Sequence, residues 1–312
     1  MGEFDLIARH LAPLASPDAL GLTDDVAHYR GDVISKDVLV EGVHFLPTDP
    51  LDLIARKALR VNISDVIAKG ATPTAYLLGM VWPEGTKEAS FERFAAGLQQ
   101  EQTETGIRIL GGDTTVGPLM VISVTIIGTP GPRGVITRSG AEPGDAILVT
   151  GTIGDGILGL EAAKQQPPAS DLNALPYRLP RIPFGIQGVV AQYAKASIDL
   201  SDGLIADAGH LATASGVGVE LRAEAVPLSS LGQEARSKGR LGDLVTGGDD
   251  YQTLFAIDPA DIGLLTAEKP DTVTVTHIGS VLDGKRAGEV DLVDSNGRKI
   301  SLKQSGWDHF AS

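Results

Sequence analysis

The sequence predicts an α/β (α+β) fold of two domains, and three observations carry that reading. Helix-like and strand-like segments alternate from end to end, which argues against a helical bundle or a β-sandwich. The chain has 312 residues, room for two domains of about 150 residues each. The alternation restarts near Arg138, so the division falls into residues 1–137 and 138–312, as expected for an N-terminal and a C-terminal domain.

Phe4, Ile7 and Leu11 put an opening helix on one apolar stripe, and a strand follows over Val33–Val40. LDLIARKALRVNISDVIAK after Pro50 reads as a long helix, with Ile54, Ala58 and Val61 at helical spacing and Gly70 and Pro73 as its stop. Thr74–Trp82 is an apolar run bounded by prolines, hence a strand. Phe91, Phe94, Ala95 and Leu98 mark a helix ending near Gly106. Ile107–Leu110 and Val121–Ile127 read as strands flanking a glycine-rich corner, GGDTT. In the second half, Ala146–Thr150 is a strand, Gly156–Lys164 a helix, QQPPASD a loop, and Ile186–Lys195 a helix. The loop SIDLSDG leads into a helix over Leu204–Ser215. Strands are expected at Val217–Arg222, Tyr251–Ile257 and Thr272–Ile278, with SNG as a hairpin turn.

Composition removes several classes of function. Hydrophobic residues make up 42% of the chain, enough for a sizeable core. Forty acidic against 26 basic residues leave a formal charge of -14, which repels nucleic-acid backbones and anionic membrane surfaces. The absence of cysteine removes disulfide frameworks, iron–sulfur clusters and thiolate zinc sites. No stretch reaches the length of a membrane span, and the N-terminus has no signal-peptide core, so a soluble, cytoplasmic protein is expected.

The acidic residues are informative through their neighbours. LTDDVA (Asp24, Asp25), ISKDVL (Asp37), NISDVI (Asp65), GGDTT (Asp113), IDLSDG (Asp199, Asp202) and GGDDY (Asp249, Asp250) set aspartates among small or turn-forming residues, not in Lys/Glu-rich company. Each has a plain alternative. Asp199 and Asp202 could cap the helix at Leu204, Asp113 could serve a turn, and Asp24–Asp25 could be a solvated pair. Asp65 falls four residues after Val61, on the apolar stripe of its helix, where a carboxylate needs a cation or several donors. Arg60 and Lys69 are the local candidates for an ion pair. Taken together, the aspartates point to a carboxylate site for magnesium, a hard ion that prefers oxygen ligands.

Other motifs are excluded. Gly284-Lys285 is followed by Arg286, so there is no Walker A sequence, and TGTIGDG lacks dinucleotide-fingerprint spacing and reads as a strand-to-helix turn. No segment has EF-hand spacing. IDLSDG lacks the second aspartate of the DxDxT phosphatases, which disfavours a covalent aspartyl intermediate. The six histidines form no HExxH. His44, in EGVHF after the Asp37 strand, is the one beside the acidic set, and Trp307 in GWDHF is either a packing anchor or a platform for an aromatic ring.

KDVLVEGVHFLP, ALRVNISDVIAKGATP, LGGDTTVGP, TRSGAEPGD, VTGTIGD, SIDLSDGL and TGGDDYQTLF, in this order and between GEFDLIARHLAP and GWDHF, resemble the thiamine-monophosphate kinases. These belong to the aminoimidazole-ribonucleotide-synthetase-like ATP-binding superfamily, and the resemblance spans essentially the whole chain. It implies direct transfer of the γ-phosphoryl group of ATP to thiamine monophosphate, with several Mg2+ ions and no phosphoenzyme. It also implies an N-terminal α/β domain that forms a dimer-spanning sheet or barrel in a homodimer, a C-terminal α/β domain, and a site in the cleft between them. By position, metal roles fall on Asp25, Ser35, Asp37, Asp65, Asp113, Asp199 and Asp202, with Lys36 able to offer at most its backbone carbonyl. Nucleotide contacts fall on Gly112, Asp113, Arg138 and Ser201, and substrate contacts on His44, Asp249 and Trp307. Arg138 would also neutralise phosphate charge.

The chain departs from the commonest pattern of these kinases at a few places. Thr23 precedes Asp24-Asp25 where glycine is common, Lys36 replaces threonine between Ser35 and Asp37, and Asp249 stands where glutamate is common. Trp307 occupies a position where tyrosine also occurs. Strand alternation predicts that Lys36 points away from Asp37. Two other functions are compatible with an acidic cluster: another ATP-dependent synthetase of the same superfamily, or a non-catalytic divalent-cation-binding protein.

Overall fold

The computed structural model describes residues 3–165, 171–284, 286–303 and 306. Its first half contains α1 (Glu3–Leu6), β1 (Ala27–Tyr29), β2 (Asp32–Val40), α2 (Leu51–Ala68), β3 (Ala71–Pro83), α3 (Glu88–Thr105), β4 (Arg108–Gly117) and β5 (Val121–Pro130). These strands form a sheet in the order β1-β2-β5-β3-β4, antiparallel except for the β3–β4 pair. Helices α2 and α3 cover one face, and Leu39, Ile54, Leu59, Ile63, Tyr76, Ile122 and Ile126 fill the core beneath them. Alternation along β2 sends Ser35 and Leu39 into that layer and Lys36 and Val38 out of it. Val38 and Leu77 are exposed on the uncovered face, and Ile109, Leu110 and Val116 are exposed along β4, the edge strand.

The second half contains β6 (Ala146–Thr150), α4 (Asp155–Lys164), α5 (Asp171–Arg178), α6 (Gln187–Tyr193), β7 (Ala196–Asp199), α7 (Leu204–Ser215) and β8 (Gly218–Arg222). It continues with α8 (Ser230–Ser237), α9 (Leu241–Thr246), β9 (Thr253–Ile257), α10 (Ile262–Glu268), β10 (Val275–Leu282) and β11 (Val290–Val293). The sheet order is β11-β8-β10-β6-β9-β7. Along β6, Ile147 and Val149 join one apolar cluster with α7, while Ala146 and Leu148 join another with α6. A strand covered on both faces is apolar at every position, which is why AILVT and TLFAI show no alternation.

Helix α2 is the spine between the halves. It packs on β2, β3 and β5, touches α3, and reaches β7 and β9 of the second sheet. Burial on so many sides leaves it little polar face, and even Lys57, Asn62 and Ser64 are buried.

Three expectations need correction. GGDTT is not a corner: it runs inside β4, and the chain turns only after Gly117. Gly112 has φ 154° and lies so close to β3 that a Cβ would run into the Leu78 carbonyl, so glycine there serves strand packing. The strand expected at Thr272–Ile278 lies later, at Val275–Leu282, where it pairs with both β6 and β8. SIDLSDG is not a loop throughout, because its first three residues belong to β7 and pair with β9; α5, with Pro176 inside it, has no counterpart among the expected elements.

Candidate active site

The site is built largely from α2 and the loops that face it. Asp25, Asp65 and Asp199 each offer a carboxylate oxygen, and these three oxygens lie within 4.8 Å of one another. Asp65 comes from α2, Asp199 from the end of β7, and Asp25 from the segment before β1. Ser35 Oγ donates to Asp65 Oδ2 at 2.5 Å and to the Asp25 carbonyl at 3.0 Å, tying β2 to the group. Ser64 Oγ donates to Asp199 Oδ2 at 3.0 Å. Asn62 accepts from the Asp37 backbone N–H at 3.1 Å, which fixes that strand against α2.

Like charges at this spacing oppose ionisation. Burial, then Asp37, Asp199 and Asp25, push the Asp65 carboxyl well above the ordinary range. Burial, then Asp25 and Asp37, raise Asp199 to about 8. Asp37 rises to about 6 through burial and the charges of Asp25 and Asp202, with Lys36 working the other way. The local ion pairs considered for Asp65 do not form. Arg60 donates to Glu101 and Glu104, and Lys69 turns to Asp24 and Asp25.

Asp24 and Asp25 are not a solvated pair. Lys69, fully buried, brings Nζ within 3.0 Å of Asp24 Oδ1 and 2.5 Å of Asp25 Oδ2, and donates to the Ser197 carbonyl at 2.5 Å. Arg138 donates through Nε to Asp25 Oδ1 at 2.8 Å, with a second close contact from its terminal nitrogen. Its backbone N–H donates to Asp24 Oδ2 at 2.8 Å. Burial alone would raise the Asp25 carboxyl, but the charges of Lys69 and Arg138 outweigh it and hold the group below its ordinary value.

The N-cap of α7 is Gly203, not Asp199 or Asp202. Asp207, inside the helix, instead accepts from the backbone N–H groups of Asp202 and Gly203 at 3.1 Å each. Asp202 and Asp207 also lie close to His210, and burial, reinforced by the Arg138 charge, lowers that imidazole to about 4. The loop carrying Ser201 runs against the loop carrying Gly248, where a Cβ would strike the Ser201 carbonyl, and that carbonyl accepts from the Asp249 N–H at 2.9 Å.

A second corner joins residues far apart in sequence. His44 follows β2 in a turn where its Nδ1 accepts from the Val40 N–H at 3.0 Å. Asp249 adopts φ 71°, a left-handed conformation, and Asp250 points the other way, accepting from the N–H groups of Gly154 and Gly156 at 2.7 and 3.0 Å. Those two bonds satisfy donors at the start of α4. Lys57 links the two sides of this corner, donating to the His44 carbonyl at 2.9 Å and to Asp249 Oδ2 at 3.2 Å.

The structure therefore groups Asp25, Ser35, Asp37, Asp65, Asp199 and Asp202 at one place and His44 with Asp249 at another. Lys36 faces away and donates to Ser123 and Thr125 at 2.6 and 3.3 Å. Asp113 is exposed on β4, which is separated from β2 by β3 and β5. That places it about 14 Å across the sheet from Asp37 at ~4.8 Å per strand. Its register partner Gly79 pairs with Ser123, on the face that carries Lys36, not Asp37. Trp307 lies outside the described residues. Lys57, Asn62, Ser64, Tyr177 and Asp207 were not singled out by the sequence reading. Helical spacing could have found the first, because Lys57, Val61, Asp65 and Lys69 recur every four residues.

The AIR synthase related protein N-terminal domain matches residues 22–129, and the corresponding C-terminal domain matches residues 142–291. The thiamine-monophosphate kinase of Caulobacter vibrioides is 41% identical over 98% of this chain and 90% of its own. The chain belongs to the thiamine-monophosphate kinase family. The Escherichia coli K12 member is 35% identical over 100% of this chain and 99% of its own. A solved structure, AaThiL complexed with AMPPCP and TMP, superposes with a TM-score of 0.85 at 32% identity, covering 99% of this chain and 97% of that one. Among the described residues of this family member, no helix is long and apolar enough to cross a membrane.

Proposed function

We propose that the chain catalyses ATP-dependent phosphorylation of thiamine monophosphate to thiamine diphosphate, with Mg2+ held at the carboxylate cluster. The observation that carries this reading is the convergence of Asp25, Asp65 and Asp199 oxygens within 4.8 Å, in a chain whose relatives are thiamine-monophosphate kinases.

The residues fit a hard divalent cation. The donor set is all oxygen, and no positive group is among those acting on Asp65. Lys69 approaches Asp25 Oδ2 as an ion pair, and that oxygen has no hydrogen-bond donor aligned on it among the described residues. Asp25, Asp65 and Asp199 would hold the ion, with Asp37 and Asp202 beside them. A bound divalent cation would supply neutralisation of phosphate charge, and the carboxylates keep that charge in place.

In the transfer, an oxygen of the acceptor phosphate forms a bond to the γ-phosphorus, and the bond from that phosphorus to the bridging oxygen breaks. The electron pair leaves with ADP. The acceptor oxygen is already ionised near neutral pH, so no strong general base is required. The chain's own contribution is positioning and electrostatics. Lys69 and Arg138 keep Asp25 ionised, Ser35 and Ser64 orient Asp65 and Asp199, and Arg138 and Ser201 serve the nucleotide side. His44, Asp249 and Trp307 serve the thiamine side. The use of ATP supports a cytoplasmic location.

The division into 1–137 and 138–312 and a homodimer belong to the same proposal. Exposed Val38, Leu77, Ile109, Leu110 and Val116, together with the unpaired edge of β4, support burial against a second copy. Gly112 and Asp113 sit on that edge and would enter a phosphate site across the dimer.

The test is mass-spectrometric detection of thiamine diphosphate after incubation of purified protein with thiamine monophosphate, ATP and magnesium. Product that disappears with chelator supports the assignment, and no product under saturating conditions overturns it. ADP formed faster with a different acceptor would favour another branch of the superfamily.

A further inference from the structure

We propose that Lys57 is a positioning residue for thiamine monophosphate, acting through Asp249 to fix the wall of the site against which the acceptor binds. The inference rests on the function proposed above and concerns a residue outside the proposed metal and nucleotide sets.

Among the described residues, three partners surround the ammonium. It donates to the His44 carbonyl at 2.9 Å and to Asp249 Oδ2 at 3.2 Å, and it lies 3.8 Å from the centre of the Tyr177 ring. These partners come from the turn after β2, the loop before β9, and α5. The Tyr177 hydroxyl also donates to the His44 carbonyl, at 3.3 Å. A salt bridge from Arg178 Nε to Asp49 Oδ1 at 2.6 Å holds α5 to the same segment. Lys57 thus joins both halves of the molecule at one nitrogen.

Burial separates this lysine from an ordinary surface ion pair. Its side chain is 2% exposed, against 27% for Asp249. The cation is therefore spent inside the protein, and the carboxylate is the member that faces the site. Burial pulls the ammonium below its ordinary value, and Asp249, then Asp49, oppose that pull. Breaking one partner of such a pair leaves the other uncompensated.

Asp249 needs this support more than most carboxylates. Its backbone is left-handed, which costs energy in a residue with a Cβ and persists where neighbours over-determine it. Three contacts do so: the N–H to the Ser201 carbonyl, Tyr251 Oη donating to Oδ1 at 2.9 Å, and Lys57 on Oδ2. The Lys57 contact is the one that ties Asp249 to His44, the other expected substrate residue. Removing it frees the carboxylate to rotate while the carboxylate cluster around Asp65 keeps its own contacts.

The experiment is a double-mutant cycle on the full chain with Lys57→Met, Asp249→Asn and the pair, reading KM for thiamine monophosphate, KM for ATP and kcat separately. Lys57→Met is expected to raise KM for thiamine monophosphate by about tenfold to a hundredfold, the loss of one charged hydrogen bond. KM for ATP and kcat should stay within about twofold, and Asp249→Asn should raise the same KM. The pair should be no worse than the more severe single variant.

Independent, multiplicative effects overturn the inference, and so does an equal rise in both KM values, the mark of a general loss of structure. Should Lys57→Met fail to fold, Lys57→Gln carries the same cycle, with a donor for the His44 carbonyl and no charge for Asp249. Wild-type protein that makes no thiamine diphosphate removes the functional reading and this inference together. Active wild type with an additive cycle removes only the role of Lys57.

Discussion

At Asp249 and at Asp24–Asp25 the chain brings its own cation: Lys57 for the first and Lys69 for the second, both from α2 or its end. At Asp65 and Asp199, on the same helix and the strand beside it, burial and then the surrounding carboxylates act instead, and both groups are pushed up. One helix therefore neutralises some of the acids it meets and leaves others crowded. The difference separates carboxylates fixed in shape by the protein from carboxylates that, on the proposed function, an external cation completes. Buried charge is tolerated where a lysine is built in, and is kept where a ligand is to complete it.

The largest expected effect breaks the neutralised side. Lys69→Met leaves two carboxylates without their buried ammonium and should cost about 3–5 kcal/mol of stability, the range for removing one partner of a buried pair. Denaturant unfolding measures it, and a loss too small to detect would mean that Arg138 alone suffices for Asp25. Asp65→Asn should act in the opposite sense on stability, removing a buried carboxylate crowded by Asp37, Asp199 and Asp25. The fold should melt no lower than wild type. Turnover should fall by about a hundredfold to a thousandfold, the scale of losing a preorganised electrostatic contact. Melting curves and steady-state kinetics on one preparation decide whether the two effects separate.

The pH dependence sharpens the same contrast. Asp37 and Asp199 have raised values in the folded chain, so the folded state holds their protons more tightly than the unfolded state. Their contribution is most favourable at low pH and is lost as pH rises through about 6 and then about 8. Without divalent ions the melting temperature should therefore fall across that window. Added magnesium should raise it more at the upper end than at the lower end, and calorimetry should show protons released on binding. An equal magnesium effect at both ends would argue that these carboxylates are not the ligands. The smallest effect belongs to Lys36, whose side chain points to the open face. Lys36→Ala should leave turnover within about twofold, because its side chain bonds Ser123 and Thr125 and not the carboxylate cluster.

Much of this was legible in the sequence. The period of α2 was readable from Ile54, Ala58 and Val61, and Asp65 stood out because it shared their stripe. The same spacing marked Lys57 and Lys69, yet a lysine on a buried stripe reads first as a snorkelling surface residue. Only the fold shows that the turn after β2, the loop before β9 and α5 enclose Lys57, and that Ser197 of β7 receives Lys69. GGDTT reads as a turn because glycine and aspartate are turn formers, whereas here the missing Cβ lets β4 press against β3. Asp113 kept company with the other aspartates in pattern but not in space, because sheet order is set by pairings that composition does not reveal. Asp207 escaped notice because a carboxylate that binds the backbone ahead of its own helix looks like any helical acid.

The four-residue recurrence along α2 makes counting, as well as chemistry, a constraint on this chain. One residue inserted between positions 57 and 62 would rotate the downstream helix by about 100°. Lys57 could then keep its seat only if Asp65, Asn62 and Lys69 all lost theirs. Length variation should thus be tolerated in the connecting loops and barred from that single stretch, so the reading frame of one helix keeps two distant pieces of chemistry in step.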